Sequence, residues 1–185
     1  KPNYPSGTLF PEYKAEPERF SNYKGAHVLR VPMLSRGNSK LSLLLNYLSY
    51  PLTASTLGLW RLRKSDFDVV FVCQLSPIFL ALPAVLYKTI SRKPIVMWVL
   101  DLWPDSLESV GVVKSSRIFS VVGKFVQFIY KRCDLILGQS KAFYEGIANY
   151  CDDKSKIKYF PSWSESVFLK SNNVSVSGLM ESDAF

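Results

Sequence analysis

Four apolar runs recur along the second two thirds of this chain, and what lies between them has a different period. "DVVFVC" (Asp68 to Cys73), "PIVMWVL" (Pro94 to Leu100), "DLILGQS" (Asp134 to Ser140) and "IKYFP" (157 to 161) read as strands, apolar on both faces. Ser76-Pro77 supplies an N-cap and a first-turn proline for a helix through Ile90. Arg117 to Arg132 is helical, with Ile118, Val121, Val122, Phe125, Phe128 and Ile129 predicted on one face, and Ser140 caps a helix to about Tyr150. Strand and helix alternate, which predicts an α/β fold of the doubly wound class: a parallel sheet between helices.

The first part of the chain is less regular. Residues 1 to 26 carry prolines at 2, 5, 11 and 17 and glycines at 7 and 25, the pattern of a loop. "HVLRVP" predicts a short strand from His27 to Val31, and "SRGN" a turn. From Ser39, leucines at 41, 44, 45 and 48 recur at helical spacing and predict an amphipathic helix, interrupted near Pro51 and resumed to about Lys64. The uncharged run Leu41 to Trp60 is long enough to span a bilayer, but eight polar, proline or glycine positions within it argue against a span. Residues 1–170 are expected to form one domain, and the polar tail 171–185 reads as a linker. The chain opens on a turn-rich segment where a compact α/β domain would place its first strand, so it reads as part of a longer protein.

Composition narrows the partners. A formal charge of +8 favours anionic ones: a nucleotide diphosphate, an acidic lipid surface or nucleic acid. Cys73, Cys133 and Cys151 have no metal-like spacing, and the single histidine, His27, has no acidic or cysteine neighbour, so neither a disulfide framework nor a zinc site is expected. A reducing cytosol fits best. The phosphate-binding glycine motifs, HExxH and GxSxG are absent from the sequence.

In an open parallel sheet, ligands bind where the carboxyl ends of the strands converge. Polar residues follow three strands here: Gln74 to Ser76, Asp101 to Trp103, and Gln139-Ser140. Two roles fit Asp101. A rigid strand end can present it to a substrate hydroxyl as a proton or hydrogen-bond acceptor, or it can cap the following helix or pair with a lysine. Ser76 and Ser140 fit helix caps as well as ligand contacts, and Trp103 fits core or cleft.

Taken in order, "KPNYPSG" (1 to 7), "QLSPIFLALPA" (74 to 84), "WVLDLWPDSL" (98 to 107), "QSKAF" (139 to 143) and "FPSW" (160 to 163) resemble the amino-terminal domain of bacterial family-four glycosyltransferases, the WbuB-like group of O-antigen and capsule assembly. The resemblance extends from residue 1 to about 170. It implies a GT-B fold, two Rossmann-like domains facing across a cleft, with metal-independent, retaining transfer from a nucleotide sugar. The amino-terminal domain would bind the acceptor, an undecaprenyl-diphosphate-linked saccharide, at the inner face of the bacterial plasma membrane. A carboxyl-terminal domain, outside this sequence, would grip the donor. The first strand, a glycine loop and a first helix would precede "KPNYPSG". No resident cofactor or metal is implied, since the nucleotide sugar is a substrate. The substrate-binding residues are expected at Asn3, Tyr4, Pro5, Gly7, Gln74, Ser76, Trp103, Gln139 and Ser140, with Asp101 catalytic. Where many relatives place a histidine after the strand Pro94 to Leu100, this chain has Asp101.

The helices of Leu41 to Trp60, flanked by Arg36, Lys40, Arg61 and Arg63, fit either a headgroup-level membrane contact or ordinary core packing. Two rival functions share the observations: a GT-B UDP-sugar epimerase, and a non-catalytic basic binding module. A nucleic-acid module is disfavoured because Lys and Arg are scattered and the aromatics sit within apolar runs.

Overall fold

The computed structural model describes residues 8–35, 37, 39–109 and 115–162. Its first elements are local. Pro11 opens a short helix, α1 (Pro11–Ala15), and Pro17 a 3-10 turn (Pro17–Phe20), at positions where a helix has no use for an N–H. Lys24 and Gly25 take left-handed backbone, φ 47° and 86°, and reverse the chain between β1 (Asn22–Tyr23) and β2 (Ala26–His27). Only His27 of the strand predicted over 27–31 is therefore in a ladder.

The rest of that segment finds partners on a helix. Ser39 caps α2 (Lys40–Thr53) in a reciprocal box with Ser42, and α2 runs through a π turn (Ala54–Gly58) into α3 (Leu59–Leu62). The predicted break at Pro51 does not occur. Pro51 removes one N–H, and the wider turn that follows lets the helix continue in a shifted ladder. The polar residues of this helix reach the preceding chain. Asn46 Nδ2 donates to the Leu34 carbonyl, the Leu34 N–H donates to Ser49 Oγ at 3.0 Å, Thr53 Oγ1 donates to the Pro32 carbonyl at 2.6 Å, and Arg61 donates to the Arg30 carbonyl at 3.3 Å. Side chains thus supply the bonds a neighbouring strand would have made.

The remaining elements build one parallel sheet: β3 (Val70–Gln74), β4 (Ile95–Val99), β5 (Leu135–Gly138) and β6 (Ile157–Tyr159), adjacent in chain order. Between them come a 3-10 turn (Ile78–Ala81) leading into α4 (Leu82–Ser91), then α5 (Asp105–Ser109), α6 (Ser116–Arg132) and α7 (Phe143–Ala148). The structure is α/β, Rossmann-like, with its sheet flanked by helices. α4 ends at Arg92, whose left-handed φ of 59° turns the chain toward Pro94 and β4.

The core lies on one face. Val72, Met97, Ile136 and Ile157 are in register across the four strands and pack with Ile78 and Val85 before and within α4, Val126 and Ile129 of α6, and Ile147 of α7. Right-handed crossovers that always step in the same direction put their helices on the same side. A second helical layer over the opposite face is not found among the described elements, and there Phe71 is 53% exposed while Trp98 is covered by Phe160, ring centroids 5.6 Å apart. Gly123 lets α6 approach Tyr150, since a Cβ there would lie 2.9 Å from the ring.

Two further details differ from the sequence reading. On α6 the buried residues are Gly123, Val126, Ile129 and Tyr130, while Ile118 and Val121 face out. The apolar stripe is wider than the contact, because α4 and the sheet cover only the later turns. At the amino end of β5, Asp134 ties two strands and a helix: its Oδ2 accepts from the Ile95 N–H at 2.7 Å and from Lys88 Nζ at 2.5 Å. Partial burial opposes ionisation of Asp134, but these two donors outweigh it and hold the carboxyl below its ordinary value. Burial pushes the Cys133 thiol up to about 12, consistent with a packed rather than reactive cysteine.

Ile129→Ala should cost about 2–5 kcal/mol in urea unfolding, and Ile118→Ala should stay within about 0.5 kcal/mol. Equal losses would mean that α6 buries the stripe its sequence suggests. Because the folded pKa of Asp134 is depressed, its contribution is present above the unfolded value of about 3.9 and disappears as pH falls through the folded value. Asp134→Asn should therefore be less stable at neutral pH and lose less stability than the parent on acidification below about pH 5.

Candidate functional site

Because every pair in the sheet is parallel, the residues that follow β3, β4 and β5 emerge along one rim. Ser76 leaves β3, Asp101 and Trp103 leave β4, and Gln139 and Ser140 leave β5. Trp103 joins the first two. Its Nε1–H donates to Asp101 Oδ2 at 2.8 Å and to Ser76 Oγ at 3.3 Å, while its ring is buried edge-on against Phe79, centroids 5.7 Å apart. Phe79 in turn packs on Phe125 of α6, centroids 5.1 Å apart. The polar rim is thereby anchored in the core by an aromatic row.

This geometry separates the alternatives left open for Asp101 and Ser76. Among the described residues no lysine or arginine forms an ion pair with Asp101. Its Oδ2 is held by the indole, Oδ1 has no described partner, and the residue is half-buried. The Ser76 hydroxyl caps no helix: the turn that follows has Pro77 at its N-cap and no side-chain cap bond. Ser140 does not cap by its side chain either; its carbonyl accepts from the Phe143 N–H at 3.1 Å, and α7 starts three residues later than Ser140.

The other predicted residues divide. Gln139 bridges the rim, donating to the Leu100 carbonyl at 3.4 Å and accepting from Ser162 Oγ at 3.3 Å. Ser140 lines a separate depression of about 540 Å³ with Lys141, Tyr144, Lys158 and Tyr159. Gln74 is fully buried on the core face, in register with Val99, with Nε2 turned back to the Leu75 carbonyl and no described donor to Oε1. It therefore supports the rim from below and does not line it. Asn3, Tyr4, Pro5 and Gly7 lie outside the described residues.

Beside Ser76 the structure adds residues that the sequence reading missed. A pocket of about 270 Å³ is lined by Asn46, Tyr47 and Tyr50 of α2 together with Met33, Cys73 and Ser76. Burial pushes the Tyr50 phenol above its ordinary pKa, so it remains a neutral hydroxyl donor. The available signal was the placement of Asn46, Tyr47 and Tyr50 inside a leucine-rich helix. These hydroxyl and amide groups, next to an oriented carboxylate, can recognise a polyhydroxylated ligand by hydrogen bonding. No protein-family model matches the chain, and no curated protein matches it. Among the described residues there is no group of three metal-ligating side chains, and no helix is long and apolar enough to cross a membrane.

Trp103→Phe keeps a ring against Phe79 but removes the shared donor. It should cost about 1–3 kcal/mol in chemical unfolding. A loss no larger than that of an exposed control substitution would show that the indole N–H does not organise the rim.

Proposed function

We propose that this chain is the acceptor-side part of a retaining, GT-B-type glycosyltransferase that places a sugar from a nucleotide-sugar donor on a lipid-linked saccharide, as in O-antigen or capsule synthesis. One observation carries the reading: the half-buried Asp101 carboxylate, with Oδ2 held by a buried indole that also donates to Ser76, and Ser76 lining the pocket with Asn46, Tyr47 and Tyr50. Two of the blocks that resemble family-four enzymes contribute to the same rim. "QLSPIFLALPA" supplies Ser76 and the Phe79 ring, and "WVLDLWPDSL" supplies Asp101 and Trp103.

In this reading Asp101 Oδ1 accepts the hydrogen of the acceptor hydroxyl and points its oxygen at the anomeric carbon. The new bond forms from that oxygen on the same face from which the nucleoside diphosphate departs, so the configuration is retained; the diphosphate leaves with the bonding electrons, and the hydroxyl proton passes to the Asp101 carboxylate. Orientation of the hydroxyl supplies much of the rate on this side of the cleft. Neutralisation of the departing diphosphate belongs to the donor-binding half.

Asp101→Asn keeps an oxygen for the Trp103 indole but weakens the acceptor for a substrate proton. In the complete protein it should lower turnover by about 10²-fold or more, with nucleotide-sugar affinity little changed. Near-parental turnover would reduce Asp101 to a partner of Trp103. Conversion of the nucleotide sugar to an epimer without any acceptor would replace transfer with epimerisation as the reaction.

A further inference from the structure

The helix formed by α2, the π turn and α3 carries an apolar stripe on its outer side as well as on its inner one. Its polar residues Asn46, Ser49 and Thr53 face the protein and bond to the 32–34 backbone; Asn46, Pro51, Ala54 and Gly58 are buried, and Leu43, Leu57, Leu59 and Leu62 are half-buried. Five other leucines and the tryptophan face out: Leu41, Leu44, Leu45, Leu48 and Leu52 are 45–67% exposed, and Trp60 is 60% exposed. Spacings of three, one, three and four put the five leucines on one stripe. A surface helix ordinarily turns such a stripe to the core, so core packing does not explain these leucines.

Charge is concentrated in the same part of the chain. Residues 19–65 contain eight basic residues and no acidic one, whereas the rest of the sequence balances at 15 basic and 15 acidic. The whole formal charge of +8 therefore belongs to the segment that carries the helix. Lys and Arg are scattered in number along the chain, but the net charge is not. Arg61, Arg63 and Lys64 are exposed at the carboxyl end of the helix, and the Arg63 guanidinium lies over the Trp60 ring, 4.3 Å from its centroid. The first acid beyond, Asp66, is paired with Lys93 at 2.7 Å.

We infer that this face docks on an anionic lipid bilayer, the leucine stripe entering the headgroup–acyl boundary and Trp60 with Arg61 and Arg63 sitting at headgroup level. An apolar stripe with cations at its end matches what an interfacial helix requires, and a neutral apolar protein partner would not call for the local positive field. The Asn46–Tyr47–Tyr50 pocket opens from the same helix, so docking would hold the rim close to the lipid surface. The inference deepens the proposed lipid-linked acceptor, but vesicle binding is read without sugar transfer, so either can fail while the other stands.

The test is flotation of the chain with vesicles of phosphatidylglycerol and phosphatidylethanolamine, against vesicles of phosphatidylcholine alone. The chain should float with the first and not with the second. Leu44→Glu/Leu48→Glu should lose tenfold or more in vesicle affinity, and Arg61→Glu and Arg63→Glu about fivefold each at low salt. Both leucines are exposed, so the double variant should keep the parental circular dichroism and urea midpoint. Should it not, Trp60 emission serves: a blue shift on adding anionic vesicles, lost in Trp60→Phe, supports docking. Equal flotation with both vesicle types, unchanged flotation of the double variant, an unshifted Trp60, or a lipid-free dimer that the leucine substitutions abolish would overturn the assignment.

Discussion

Parallel pairing of strands that follow one another in the chain is the constraint on which the other features depend. β3 to β6 are neighbours in sequence order and all run the same way. Their carboxyl ends therefore share a rim, which brings Ser76, Asp101, Trp103 and Gln139 to one edge of the molecule. The same order sends each right-handed crossover in one direction, so α4, α6 and α7 gather over one face and the core forms there.

The rim is tied to that core through Trp103. An indole that is buried as a ring and polar at its edge can belong to both environments, and here it spans them: Phe79 and Phe125 on one side, Asp101 and Ser76 on the other. Asp101 is thereby placed by packing instead of by a loop. A carboxylate held in this way loses little further freedom when a hydroxyl binds to it.

A second consequence concerns the chain before the sheet. Residues 30–34 have no strand beside them among the described residues, and their backbone groups still need partners. Asn46, Ser49, Thr53 and Arg61 provide them. With part of the helix's inner side spent on that task, Leu41, Leu44, Leu45, Leu48 and Leu52 are left on the outside. The exposed leucine stripe and the unpaired segment are two aspects of one arrangement.

Period and residue type were enough to place the four sheet strands, the helix Ser116–Arg132 and the rim positions of Ser76, Asp101, Trp103 and Gln139, because buried parallel strands need continuous apolar runs and helices need a 3.6-residue repeat. They were not enough to say which apolar residues would find a partner. Ile118 and Leu44 look like Ile129 in a helical pattern, yet only Ile129 meets the sheet. Nor did they foresee that the Ser76 hydroxyl would serve an indole rather than a helix end, or that Tyr47 and Tyr50 would line a pocket with it, since those contacts join residues dozens of positions apart. Local sequence determined the elements and the chemistry available at their tips. Only the tertiary structure decided which faces are covered, because burial depends on what the neighbouring elements reach and not on the hydrophobicity of the face itself.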